Sequence, residues 1–197
     1  MASTITGLKA ELNLRLNDAA NTVWSDAEKD QYVADAVGSL YPYFYLRQTA
    51  TTVAGAGPIQ TSPTGCINIY YIGLQSTGSN RARVIRGWHE GVLQAVVPKL
   101  NITGQTLISG WTTPHDVPSS HATALTTPVS ADEPIILRAQ ITALERVLSD
   151  RVKKAKYFAV QVREGVTENE IISSLDALHA SLDARLKNVL PLPERVG

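Results

Sequence analysis

Cysteine is almost missing from this chain. Cys66 stands alone among 197 residues, which excludes an internal disulfide framework and a thiolate zinc site and suggests assembly in a reducing compartment. Net charge is missing as well. Eighteen basic residues offset eighteen acidic ones, which removes the simplest electrostatic argument for a free nucleic-acid binder or a membrane-surface protein. No run of ~18 apolar residues occurs, and the opening MASTITGLKAEL has no basic segment ahead of an apolar one. Neither export nor a membrane span is therefore expected. Internal repeats and long low-complexity tracts are also lacking.

What is present suffices for an ordinary core. Hydrophobic residues make up 44% of the chain and charged residues 18%, with a mean hydropathy of −0.05; this is not the composition of a disordered tail. The balanced charge hides a distribution. Residues 46 to 130 carry Arg47, Arg81, Arg83, Arg86 and Lys99 against Glu90 and Asp116, a net of +3, so the flanks together hold −3. The two parts can therefore face different neighbours.

The ends read as helices. Ile5, Leu8, Leu12 and Leu16 recur at three- and four-residue steps on one helical face. The link NDAANTVW then places Trp24 just ahead of SDAE, a capping box in which Ser25 accepts from the Glu28 amide while Glu28 reaches back. Val33, Val37, Leu40, Tyr41 and Phe44 continue the apolar stripe until Pro42 bends or ends the helix. A second capping box is expected at SADEP, 130 to 134. It opens one long helix with Leu137, Ile141, Leu144, Leu148 and Val152 on its buried side, running toward Val162. Gly165 stops it, and Thr167 with Glu170 opens a last helix carrying Ile171, Leu175, Leu178, Leu182 and Leu186.

Between these ends, short β-branched and aromatic runs alternate with Gly, Pro, Ser and Thr: CINIYYIGL, ARVIRGW, VLQAVVP and QTLISGWT. They predict an antiparallel sheet with turns at STGSN and NITGQ. The proline-interrupted WTTPHDVPSSH predicts a loop outside any central strand. The expected class is α+β: a bundle of about four helices interrupted by a β-rich antiparallel insertion. Residues 1–45 hold the first two helices, 46–130 the insertion lobe, 131–187 the last two helices and 188–197 an extended tail.

Catalytic patterns are sparse. HDVPSSH offers Asp116, Ser119, Ser120 and His121 close together on one extended loop, which rarely converges as a triad does, and no GxSxG elbow occurs. His179 has no helical partner for a metal, and GAGPIQTSPTG lacks the lysine and following helix of a phosphate cradle. No catalytic, metal or cofactor set is assigned. YPYFY is explained most simply by a helix end docking into the core. The run Arg151, Lys153, Lys154 and Lys156 sits near the C-terminal part of the expected long helix, where it complements the macrodipole. It reads either as a contact for DNA phosphates or an acidic partner, or as a solvated face. The tail NVLPLPERVG alternates prolines with Leu190, Leu192 and Val196 and reads either as a partner-binding strand or as a frayed end.

The segment LNLRLNDAANTVWSDAEKDQYVADAVGSLYPYF resembles the opening of head-to-tail adaptor (connector) proteins of long-tailed bacteriophages: a short helix, an LND corner, a tryptophan, SDAE and an ADA step. VIRGWHEGVLQAVVPKLNITGQTLISGWTTP looks like the β-rich insertion that some such phages place in that scaffold, and DEPIILRAQITALERVL resumes the bundle. The chain departs from the pattern at Lys29, where many members carry an apolar residue. The resemblance implies a non-enzymatic virion protein without cofactor, assembled in the host cytoplasm. It implies a dodecameric ring at the neck, docked under the portal, with a tail, stopper or tail-terminator protein below and DNA in the lumen. It gives the C-terminal extension, with Leu190, Leu192, Arg195 and Val196, a portal-binding role, and the basic run a place facing DNA or a partner. Trp24, Ser25 and Glu28 would fix a rigid corner between the first two helices. Two other expectations compete. One is a carbohydrate- or host-surface-binding module with Trp88, Trp111 and Arg86 as its platform; the other is a hydrolase using the His115–His121 loop.

Overall fold

The computed structural model describes residues 3–53, 59–61, 66–76, 82–84, 89–91, 94–96, 105–161 and 167–189. The fold is mixed α and β. One compact unit comprises Met1–Phe44 and His115–Leu190, the other Tyr45–Pro114.

In the helical unit, α1 (Ile5–Leu16) starts at Thr4, whose hydroxyl accepts from the Gly7 amide, and stops at Asn17 in the left-handed conformation. Asparagine tolerates that conformation because its short amide bonds locally. α2 (Asp26–Ser39) opens on the full Ser25–Glu28 capping box and ends before Pro42; Leu40 and Phe44 are buried beyond its end. A 3-10 turn, Val129–Ala131, runs directly into α3 (Asp132–Ser149). The capping box expected at SADEP does not form. Ser130 lies inside the turn, the boundary residue is Ala131 and has no side-chain cap, and the Asp132 carboxylate accepts from the Ser3 hydroxyl instead.

The long helix expected through Val152 is two helices. Asp150 is extended (φ −106°, ψ 112°) and its Oδ1 accepts from the amides of Val152 (2.8 Å) and Lys153 (3.2 Å), so it caps a new helix, α4 (Arg151–Gln161). Val152, assigned to the buried stripe, is 64% exposed. α5 (Glu168–Leu186) opens on the Thr167–Glu170 capping box, and Ile171, Leu175, Leu182 and Leu186 are buried with Leu178 packed against them. The core joins these residues to Ile5, Leu8, Leu12 and Leu16 of α1, Val33 and Val37 of α2 and Ile135, Ala139 and Ile141 of α3.

The second unit carries β1 (Leu46–Val53), β2 (Ile59–Thr61), β3 (Asn68–Ser76), β4 (Ala82–Val84), β5 (His89–Gly91), β6 (Gln94–Val96) and β7 (Gln105–Thr113). All pairings are antiparallel: one sheet has the order β1-β7-β3-β4, the other β2-β6-β5. β7 is internal and includes Trp111–Thr113, which corrects the expectation that WTTPHDVPSSH avoids a central strand: the loop begins at Pro114. β1 went unpredicted because LRQTATTV lacks an apolar run; it pairs at the sheet edge along all eight residues, Leu46 with Thr113 through Val53 with Thr106.

A bulge explains the pattern of β3. Ile69 faces Trp111 but Tyr71 faces Gly110, so Tyr70 is the extra residue, and Ile69 and Ile72 both point inward although three positions apart. They pack with Cys66, Leu107 and Trp111, and burial pushes the Cys66 thiol up. The bulge lays Tyr70 across Gly110, where an added Cβ would come within 2.8 Å of the ring. Gly110→Ala should therefore push the half-buried Tyr70 ring aside and destabilise this unit by about 1 kcal/mol, the low end for overpacking because the far end of one side chain has to move. The check is urea denaturation, in which an unchanged midpoint would contradict the close approach.

Candidate functional site

Seven residues, 18–24, link Asn17 to Ser25, and their free amides need acceptors. Asp18 supplies them. Its Oδ1 accepts from Thr22 (2.7 Å) and Val23 (3.3 Å), and its Oδ2 from Trp24 (3.0 Å). Lys29 on α2 is fully buried and points back into the same turn. Its ammonium lies 3.1 Å from Asp18 Oδ2 and donates to the Asp18 carbonyl (2.5 Å) and Asn21 Oδ1 (3.0 Å). Burial by itself would raise the Asp18 carboxyl, but the Trp24 amide, the Lys29 ammonium and the other two amides outweigh it and hold it below the ordinary range.

Trp24 leaves this turn fully buried. Its Nε1 donates to the Ala143 carbonyl of α3 at 3.1 Å, and its ring meets Tyr157 of α4 edge-on, with centroids 5.8 Å apart. Ser25 and Glu28 cap α2 reciprocally: Ser25 N donates to Glu28 Oε2 (2.9 Å), and Glu28 N donates to Ser25 Oγ (3.3 Å). The other carboxylate oxygen, Oε1, pairs with Lys153 of α4 at 2.6 Å. That ammonium, before the weaker help of the cap, drives the Glu28 carboxyl down to about 2. The corner thus reaches α3 through one indole and α4 through one ring contact and one ion pair.

The basic run divides. Lys153 is held by Glu28 and by the Val23 carbonyl (3.4 Å), and Lys154 by Glu168 at 2.5 Å. Arg151 and Lys156 are exposed, and among the described residues no carboxylate lies within ion-pair distance of either. The break at Asp150 also reverses the dipole argument: these cations occupy the first turns of α4, where the macrodipole disfavours them, and the Asp150 cap offsets that.

Further ion pairs tie the unit together. Arg15 of α1 forks onto Glu133 of α3 (2.7 and 3.1 Å), and Arg185 of α5 approaches the same carboxylate at 3.5 Å. Lys9 of α1 bridges Asp26 (2.6 Å) and Asp30 (3.0 Å) of α2. A groove of about 590 Å³ opens beside Arg15, Leu144, Tyr157, Ile171 and Leu178.

The candidate catalytic loop does not assemble. His121 Nδ1 lies 3.3 Å from Asp30, while its carbonyl accepts from Thr6, so it pins the loop to α1 and α2. His115 is buried against the Thr126 hydroxyl (3.0 Å), and burial pushes its imidazole down. Asp116, Ser119 and Ser120 are exposed. Among the described residues no group of three His, Cys, Asp or Glu side chains could hold a metal ion, and no helix is long and apolar enough to cross a membrane. Trp111 is buried with its Nε1 on Ser109 Oγ (2.7 Å), which removes it from any carbohydrate platform. Trp88, Arg86, Leu190, Leu192, Arg195 and Val196 lie outside the described residues.

Asp18 and Lys29 are the corner residues whose pairing sequence reasoning missed. The signal was the departure itself: a lysine on the apolar side of an otherwise ordinary helix implies a buried counter-charge. Lys29→Ala, which strands Asp18, should cost about 3–5 kcal/mol of stability; equilibrium denaturation checks it, and a loss below 1 kcal/mol would contradict the pairing. For Glu28, whose folded carboxyl titrates below its unfolded value, the stabilisation is complete above the ordinary glutamate range and is lost as pH falls toward about 2. A carboxyl NMR titration should find the Glu28 midpoint near that value and, in Lys153→Ala, displaced upward. Compared with known families and curated proteins, the chain matches no family model and no curated sequence.

Proposed function

We propose that this protein is a structural component of a tailed-phage virion, a head-to-tail adaptor forming a ring between portal and tail, with DNA passing through its lumen. The helical elements are read as one bundle, interrupted by the β-rich segment that supplies a second layer of the ring. The observation that carries the reading is the corner. LND, the tryptophan and SDAE, the signatures of the resemblance, are the residues that build the most heavily tied point of the helical unit: Asp18 on three amides, Trp24 on Ala143 and Glu28 on Lys153.

A ring of heterologous contacts accumulates angular error from one subunit to the next, so it closes only if each subunit holds a fixed angle between the elements it presents. A corner tied by a buried ion pair and linked to both α3 and α4 meets that need. The tail with Leu190, Leu192, Arg195 and Val196 is assigned to the portal. Arg151 and Lys156, exposed and without a counter-charge among the described residues, are the cations of the basic run left for an outside partner.

Crosslinking mass spectrometry on purified virions of the source tests the proposal. The chain should be present at parity with the portal, with peptides from 188–197 crosslinked to it. Absence from the virion, or presence without portal crosslinks, would overturn the assignment.

A further inference from the structure

Among the described residues, α4 is tied to its unit from one side. Lys153, Lys154, Tyr157 and Phe158 turn inward, to Glu28, Glu168, the Trp24 ring and the core. At 100° per residue the opposite side carries Val152, Ala155, Lys156 and Ala159, flanked by Arg151 and Val160. Val152 is 64% and Val160 43% exposed. The helix therefore shows solvent an apolar ridge bordered by two cations without partners among the described residues.

α5 carries the opposite sign. Its buried stripe leaves Ile172, Asp176, Ala180 and Asp183 together on one exposed flank, with Ile172 44% exposed. The other charged or titratable groups of α5 are engaged elsewhere or lie at its end: Glu168 on Lys154, Glu170 in the cap, His179, between the two aspartates, near Glu145 of α3 at 3.8 Å, Arg185 on Glu133 and Lys187 at the C-cap. Among the described residues no basic group lies within ion-pair distance of Asp176 or Asp183. The two carboxylates stand about 10.5 Å apart along the axis and the two cations about 7.5 Å, a mismatch that long Arg and Lys side chains absorb.

We infer that the exposed face of α4 docks on the exposed flank of α5 of a second copy of this chain, Arg151 and Lys156 meeting Asp176 and Asp183 around a contact of Val152 and Val160 with Ile172. Because donor and acceptor faces differ, the contact is heterologous and repeats from copy to copy. The inference rests on the ring reading for closure but names the surfaces itself. It assigns the two remaining cations to protein rather than to DNA.

Charge reversal tests it on the full-length chain by sedimentation velocity. Wild type should self-associate, and raising salt from 0.1 to 1 M, which shortens the screening length from about 10 to about 3 Å, should weaken association. Arg151→Glu with Lys156→Glu, or Asp176→Lys with Asp183→Lys, should each weaken it about tenfold or more, since like charges then face each other. Circular dichroism checks that the variants remain folded. Mixing the two variants should restore assembly, because each altered face then meets its complement, as should all four changes in one chain. A monomeric wild type, association indifferent to reversal in folded variants, or no rescue on mixing would overturn the inference. Virion crosslinks to the portal without this rescue would leave the adaptor reading standing and remove only the α4–α5 contact.

Discussion

The buried pair of Asp18 and Lys29 is the constraint on which the helical unit turns. A left-handed asparagine ends α1, and the link that follows leaves backbone amides without helical partners. Asp18 takes three of them, and Lys29 takes the Asp18 carbonyl and the Asn21 amide oxygen as well as the charge. An apolar residue at position 29 would pack but could satisfy neither the carbonyl nor the carboxylate. Buried ion pairs seldom add net stability over a good apolar replacement. What this one supplies is a single geometry, because its directional bonds fix where the turn runs.

From that turn the ties spread outward. Trp24 carries the constraint to α3 through its indole N–H and to α4 through Tyr157, and Glu28 uses one oxygen for its own helix and the other for Lys153. Arg15, Glu133 and Arg185 make a second knot among α1, α3 and α5. These knots set the angles between helices that a dense apolar core alone would leave to side-chain shape. For a protein proposed to repeat around a ring, that division of labour matters: the apolar stripes provide stability and the polar ties provide the angle. The faces left over, on α4 and α5, carry charges without an ion-pair partner among the described residues.

The helical ends were legible because their signals are local. Capping boxes at Ser25 and Thr167 and the apolar steps of α1 and α5 are decided within a turn or two of backbone, and the structure has them where the residues predict. The break at Asp150 was also written locally, in a Ser-Asp pair able to cap a new helix, but the continuing apolar periodicity masked it. The false cap at Ser130 is the converse case, a correct residue pair displaced by a preceding 3-10 turn. β1 was hidden because an edge strand rich in threonine has no apolar face to announce it.

By itself the sequence determined which segments are helical, which side of α1, α2 and α5 is buried, and that the middle of the chain carries antiparallel strands, since periodicity and capping are set by neighbours along the chain; the expected turns at STGSN and NITGQ lie almost wholly outside the described residues. Only the tertiary structure decided that Lys29 is buried against Asp18, that the basic run splits into two tied and two exposed cations, that Trp111 faces inward and that Tyr70 is a bulge over Gly110. Each of these depends on a partner many residues away or on a register shift of one, and a charge or an aromatic ring takes its role from what stands opposite it in space.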